Sequence, residues 1–409
     1  MHYKGTTQPL RAIARELQVA QVLEGSVQRR DGRVRVTAQL IDATTDTHRW
    51  AESFEYDRAA SFRVQEDIAR AVAQALEVTP DAQAERQIVR RGTTSVEAYD
   101  LYRRGRMLWQ TRTRDAHLQA LGLYERAIAL DSSYADPYAG IADAYLSGFQ
   151  LDVLGIPEAD AYARMKAAAE RAIALDPESA AAHTSYGMVR WWQKDWPGAL
   201  RELERSLDLN PGQAITRAWH GMLLSGMGRH AEALREARRA YELDPFAVVV
   251  ASNLAIECFY NRDDACSDEI TRRVVNLGGY ANAYVHLTRA LSLRGQHDSA
   301  FAALRTAMSM ARRPDRLLAI LALAQANAGR TAEARETLRR AERAANEPFD
   351  IACAFAALQE PDSVFAWFDR TPWQWTHRGN LDDRVFDTLR SDPRFAATRA
   401  RILREMGVQ

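Results

Sequence analysis

The residues best able to do chemistry in this chain are its nine histidines, three cysteines and 54 acidic side chains, and their spacing decides what they can do. His183 and His220 each stand apart from other ligand-type residues, at positions that read as packing or surface. His286 and His297 do not form an HExxH pair, so no helical zinc site is spelled out. The chain has no G-x-S-x-G elbow and no G-x-x-x-x-G-K-[ST] phosphate loop. The carboxylate pair Asp263-Asp264 falls in a turn, where aspartate caps a helix rather than exchanging protons with a substrate. Cys258, Cys266 and Cys353 are odd in number and not in C-x-x-C spacing, which argues against a disulfide framework or a zinc site and for small buried apolar residues. No nucleophile–base or metal constellation emerges, so no catalytic, cofactor-binding or metal residue is expected and the chain is not read as an enzyme.

The aromatic and basic residues point elsewhere. Met188, Trp191, Trp192, Met222, Phe259, Tyr260 and Arg289 are of the types that dominate protein interfaces, and they form the candidate partner-binding set. Packing between helices is the competing role. Trp191 and Trp192 are adjacent, about 100° apart on a helix, so one is expected in the core and the other on an open face. The stretch YRRGRMLWQTRTR, Tyr102 to Arg114, carries five arginines and reads as a solvated helix face, with Arg103, Arg104 and Arg106 available to an acidic partner.

Lys plus Arg and Asp plus Glu both number 54, so the formal charge is zero and the basic excess of a nucleic-acid binder is missing. No apolar run approaches the ~20 residues that span a bilayer, and MHYKGTTQPL has no apolar signal-peptide region. These features predict a cytoplasmic chain without direct membrane insertion whose partner is a protein or peptide segment and not nucleic acid.

Elements of two kinds must position these residues. Pro9 to Val19 has helical spacing. In the next stretch Val34, Val36, Ala38 and Leu40 alternate with Arg33, Arg35, Thr37 and Gln39, the period of a half-buried strand. Asp31-Gly32 is expected to turn a hairpin, and HRWAESFEY to supply a third strand after ATTDT. Phe62, Val64, Ile68, Val72 and Leu76 predict a second amphipathic helix. ERQIVRRGTTS reads as a linker.

Beyond it the chain is helical and periodic. ERAIALD begins at Glu125 and again at Glu170. Pro177, Pro211 and Pro245 are spaced by 34, as are Gly187 and Gly221. Gly295, Ala300, Leu304 and Ala307 recur 34 residues later as Gly329, Ala334, Leu338 and Ala341. This register resembles the tetratricopeptide repeat (TPR) family, in which stacked helix pairs line a groove. Small residues such as Gly187, Ala199 and Ser206 would sit where helices approach, with Trp196 and Leu203 filling the gaps. The 45-residue interval between the two ERAIALD phrases exceeds 34 by 11, which predicts an enlarged turn around Phe149, Leu151, Val153 and Leu154, either a longer helix pair or an added surface.

Ile13–Leu17, Val22–Val27, Arg33–Ala43 and Trp50–Glu52, followed by such an array and by the closing Ser391-Asp392-Pro393-Arg394-Phe395, resemble bacterial TPR proteins with a TolB-like α/β domain. The resemblance implies a mostly α fold, a right-handed TPR solenoid behind a small α/β domain of helix, three-stranded antiparallel sheet and helix. It divides the chain into a partial TolB-like domain (1–84), a linker (85–96), the TPR array (97–345) and a degenerate repeat with capping segment (346–409). It also implies a strand and helix ahead of Met1, so an incomplete domain with an unprotected sheet edge is expected. Larger relatives carry adenylate cyclase, serine/threonine kinase or winged-helix heads, and some place the array beyond a membrane span. The function implied is a non-enzymatic scaffold that holds a partner segment in its groove. The alternative is a regulatory part of a signalling enzyme or transcription regulator, on the extracytoplasmic side if membrane-anchored.

Overall fold

The computed structural model describes residues 3, 6–17, 19–30, 33–57, 61–80, 85, 92–150, 153–344, 346–371 and 379–405. They fall into two compact units, 1–103 with 126–134, and 104–125 with 135–409.

The first unit begins with α1 (Leu10–Leu17), followed by β1 (Gln21–Arg30), β2 (Arg33–Asp42), β3 (Thr47–Asp57) and α2 (Ser61–Ala75). The strands pair antiparallel in the order β1-β2-β3. Val27 faces Val36 and Gly25 faces Ala38 across β1 and β2. The alternation read from the sequence is the one that folds, since Ala38 and Leu40 are buried while Arg33 and Arg35 are exposed. The β2–β3 turn is held by Asp42, which accepts from the Thr44 and Thr45 amides at 2.9 and 3.1 Å. Helix α2 packs on β2 and β3. The expected Asp31-Gly32 hairpin turn lies outside the described residues. On β1, Leu23 and Val27 are exposed.

The second unit contains paired helices. Helices α3 (Val96–Trp109) and α4 (Arg114–Leu130), each divided between the two units, come before the series. Then come α5 (Ala135–Gln150) with α6 (Glu158–Leu175), α7 (Ala180–Trp192) with α8 (Trp196–Leu209), and α9 (Ala214–Gly226) with α10 (His230–Leu243). After these stand α11 (Val248–Tyr260) with α12 (Asp264–Asn276), α13 (Ala281–Leu293) with α14 (His297–Met310), α15 (Leu318–Asn327) with α16 (Thr331–Arg343), and α17 (Pro348–Ala357) with α18 (Pro361–Arg370). Short 3-10 turns at Gly379–Asp382 and Arg384–Leu389 precede α19 (Pro393–Glu405).

The periodicity has a stereochemical cause. From α7 onward, the turn inside each pair carries one residue of positive φ two places past the first helix. Gly228, Gly295 and Gly329 supply it at 76°, 73° and 74°, and Lys194 and Arg262 adopt it at 64° and 60°. Asp195 and Asp263 then cap the second helix, accepting from the Gly198 and Cys266 amides. Gly187 lies where an added Cβ would meet Glu202 and Leu203 at 3.2 and 3.3 Å, and Ala199, Leu203, Ser206 and Trp196 are fully buried. Among the described residues, consecutive first helices pack on one another from α5 to α7 and from α9 to α17, α7 and α9 meet through the Thr184 and Thr216 hydroxyls at 2.8 Å, and consecutive second helices make no such extended contact. The first helices therefore form the tighter, inner layer.

The 11-residue expansion is a longer pair: α5 has 16 residues and α6 has 18, against 13 and 14 in the following pair. Leu154 folds back over Gly148, a close approach that a Cβ would block, and Arg114 donates to the Val153 and Leu154 carbonyls at 2.7 and 3.1 Å.

One expectation is corrected. Cys258 and Cys266 form a disulfide, and only Cys353 is a free thiol. The spacing of eight looked unhelpful in the sequence, but the turn lays the last part of α11 against the first turn of α12 and brings the two Cα atoms to 5.8 Å, within bridging range.

Candidate partner-binding groove

The seven candidate residues all sit on first helices, and the fold treats them differently. On α7, Met188 and Trp191 are buried. They are three residues apart and so share one face, where Trp191 meets Trp196 with ring centroids 6.0 Å apart. Trp192 points away from that face and is half-buried between Phe149 and Tyr162, at 5.3 and 5.8 Å. Met222 is half-buried on α9. Phe259, Tyr260 and Arg289 are brought together, lining one open pocket.

Helices α11, α12 and α13 build that pocket. Ser252, Ile256, Phe259 and Tyr260 come from α11, Ser267 and Thr271 from α12, and His286, Leu287 and Arg289 from α13. Asp383, from the segment after α18, closes one side. Apolar walls thus meet a polar end, the arrangement that anchors one side chain and orients it.

Arg289 organises the polar end. Its guanidinium is buried and donates to Asp383 Oδ2 at 2.6 Å, Asp350 Oδ1 at 3.1 Å and Cys353 Sγ at 3.2 Å. Burial opposes the charge, but Asp383 and Asp350 outweigh it and hold the guanidinium well above its usual pKa. Burial pushes the Asp350 carboxyl and the Cys353 thiol upward, so Cys353 is held protonated and is no thiolate nucleophile. His286 faces the pocket. The residue is exposed, and the neighbouring Arg289 charge disfavours its protonation.

No local pattern points to Asp383, which is 94 positions from Arg289. The same segment makes further ion pairs with the start of α10 and with the α11–α12 turn and start of α12. Asp382 accepts from His230 at 2.9 Å and Asp387 accepts from Arg262 at 2.8 and 2.9 Å. Arg384 pairs with Asp264 and lies over the Phe259 ring, 5.6 Å from its centroid. In the arginine-rich stretch, Arg106 is taken up inside the chain, donating to buried Asp143 at 2.6 Å.

Glu257, on α11, is also buried. Its Oε2 has no hydrogen-bond partner among the described residues, and burial raises its pKa to about 8 from 4.5. A raised acid stabilises the fold below its unfolded pKa, and that contribution is lost as pH rises through the folded value. Stability is therefore expected to fall between pH 4.5 and about 8, by on the order of 5 kcal/mol. Glu257→Gln should flatten this dependence in thermal unfolding followed across that range; an unchanged pH profile would contradict the assignment.

Metal-type ligands converge at Cys258, Asp263 and Cys266, whose ligand atoms lie within 4.8 Å of one another. The two sulfurs are bonded to each other, so they are not thiolate ligands. No helix among the described residues is long and apolar enough to cross a membrane.

Stacked antiparallel pairs, an inner layer of first helices and a left-handed turn residue near every 34th position define the class: a TPR-type helical solenoid, with a three-stranded antiparallel sheet in the N-terminal unit. No protein-family model matches the chain. In sequence it is 36% identical over 147 residues to a Rhizobium meliloti (strain 1021) protein named "Putative adenylate cyclase 3". That match covers 36% of this chain and spans only 25% of the relative's length. Similar solved structures include YrrB, described as a TPR protein with an unusual peptide-binding site (21% identity, 48% of this chain and 92% of that one, TM-score 0.27). Others are PilF of Pseudomonas aeruginosa (15% identity, 67% and 98%, TM-score 0.37) and a TPR protein of Parabacteroides merdae ATCC 43184 (11% identity, 65% and 99%, TM-score 0.41).

Proposed function

We propose that this chain is a non-enzymatic protein-interaction scaffold that holds a partner segment along its inner helical layer. The observation that carries this reading is the pocket on α11, α12 and α13, where Phe259, Tyr260 and Arg289 converge beside Ile256, His286 and Leu287. Its apolar wall supplies contact area, and its hydroxyls and paired Arg289 supply direction. Trp192 and Met222 extend the half-buried surface along α7 and α9; Met188 and Trp191 support it from the core.

The test is affinity capture with the intact chain and with His286→Ala/Leu287→Ala, two side chains that line the pocket without being fully buried. Loss of a hot-spot contact costs about 2 kcal/mol or more, so the variant should lose at least roughly 30-fold in affinity with unchanged helical circular dichroism. Equal capture by both proteins would count against the pocket.

The partial likeness to the Rhizobium protein supplies a second reading, a regulatory part of a signalling protein. A cyclase, kinase or winged-helix coding region joined upstream would support it. For compartment, the Cys258–Cys266 disulfide favours an oxidising one over the cytoplasm.

A further inference from the structure

We infer that the inner layer recognises an acidic segment with a buried aromatic residue, of the pattern Asp-Asp-x-x-Phe-Asp, and that the chain's own residues 382–387 occupy that site as an internal stand-in for the partner. The inference rests on the scaffold reading above and names the chemistry of the partner.

Charge complementarity across the site carries the argument. The start of α10, the α11–α12 turn and α13 present His230, Arg262 and Arg289, and each is met by a carboxylate of the C-terminal segment, Asp382, Asp387 and Asp383 respectively; Asp382 and Asp387 are also paired by Arg390 of that segment. Between these contacts Phe386 is fully buried, with its ring 5.7 Å from Phe349 and 5.2 Å from Phe368. Three acidic anchors around one aromatic anchor is how a groove reads an extended or singly turned peptide. The site is only partly filled, because an open pocket adjoins Asp383 beside Phe259, Tyr260 and His286. A partner that repeats the acidic and aromatic contacts and also places a side chain in this pocket buries surface that the internal segment does not. That difference lets a partner in solution displace a tethered segment, whose effective concentration is on the order of millimolar.

The test uses a fluorescent peptide of residues 381–390 and the full chain. The wild-type chain should bind it weakly. Asp382→Ala/Phe386→Ala/Asp387→Ala, which disarms the internal segment, should bind it roughly 100-fold more tightly. Arg262→Glu added to that variant should abolish the gain, and a peptide carrying Asp387→Arg should restore it. If the disarmed chain does not fold, hydrogen exchange on the wild-type chain decides: millimolar peptide must remove protection from amides 382–389. Unchanged protection, a folded disarmed chain without tighter binding, or a charge-swapped peptide that fails to restore binding would each overturn the inference. So would concentration-dependent dimers held by exchanged segments, which would assign the site to a second copy. Peptide failure with pocket-dependent capture intact removes only the partner chemistry; loss of both removes the scaffold reading.

Discussion

Arg289→Met is expected to cost about 3–5 kcal/mol of stability. The Asp383 side chain is 2% exposed and the Arg289 side chain 9% exposed, joined at 2.6 Å. Removing the guanidinium leaves Asp383 as a buried charge without its cation, and Asp350 loses the same partner. The penalty comes from the stranded carboxylates more than from the lost attraction. Adding Asp383→Leu should therefore recover part of the loss, because a buried pair replaced by apolar side chains is often close to neutral. Urea unfolding of both variants checks this, and a double variant no more stable than the single one would contradict it. The damage should concentrate near α13, α17 and the 382–387 segment, since a repeat array is held by nearest-neighbour contacts and opens in parts.

Phe386→Ala should cost about 3–5 kcal/mol, the usual range for emptying a buried phenylalanine site. Phe386 is fully buried among Phe349, Phe368 and Phe395. Leucine keeps most of the volume and should cost less than about 1.5 kcal/mol. Hydrogen exchange should show α17 and α18 opening first in the alanine variant, with α5 to α8 unaffected. Uniform loss of protection would show that the C-terminal segment is not a local partner of the last pair.

These two residues mark where reading the sequence stopped. The repeat register was legible because Gly187, Ala199, Leu203 and Ser206 answer to neighbours within one or two helices, and such demands recur every 34 residues. The strand alternation of Val34 to Leu40 was legible for the same local reason. The C-terminal segment was not: Asp382 meets a partner 152 positions away and Asp387 one 125 away, and no period announces such a contact. Nor could the sequence settle which of Trp191 and Trp192 is buried, because both lie at the end of α7 and the choice depends on how α8 and the longer α5–α6 pair sit against it. The disulfide is not legible in the sequence because its geometry comes from the turn rather than from a cysteine motif. The sequence predicts Arg289 on an open groove, and the fold buries it as the hub that fixes one end of the pocket.

The central claim is that a partner lies against α11 and α13. Photo-crosslinking from chosen positions tests it most directly, with benzoylphenylalanine placed at Leu287 in the pocket and, in a separate protein, at Arg239, an exposed position on the second-helix layer. The account predicts that a partner protein is crosslinked from position 287 and not from 239. Crosslinking from 239 alone, or equally from both, would contradict it.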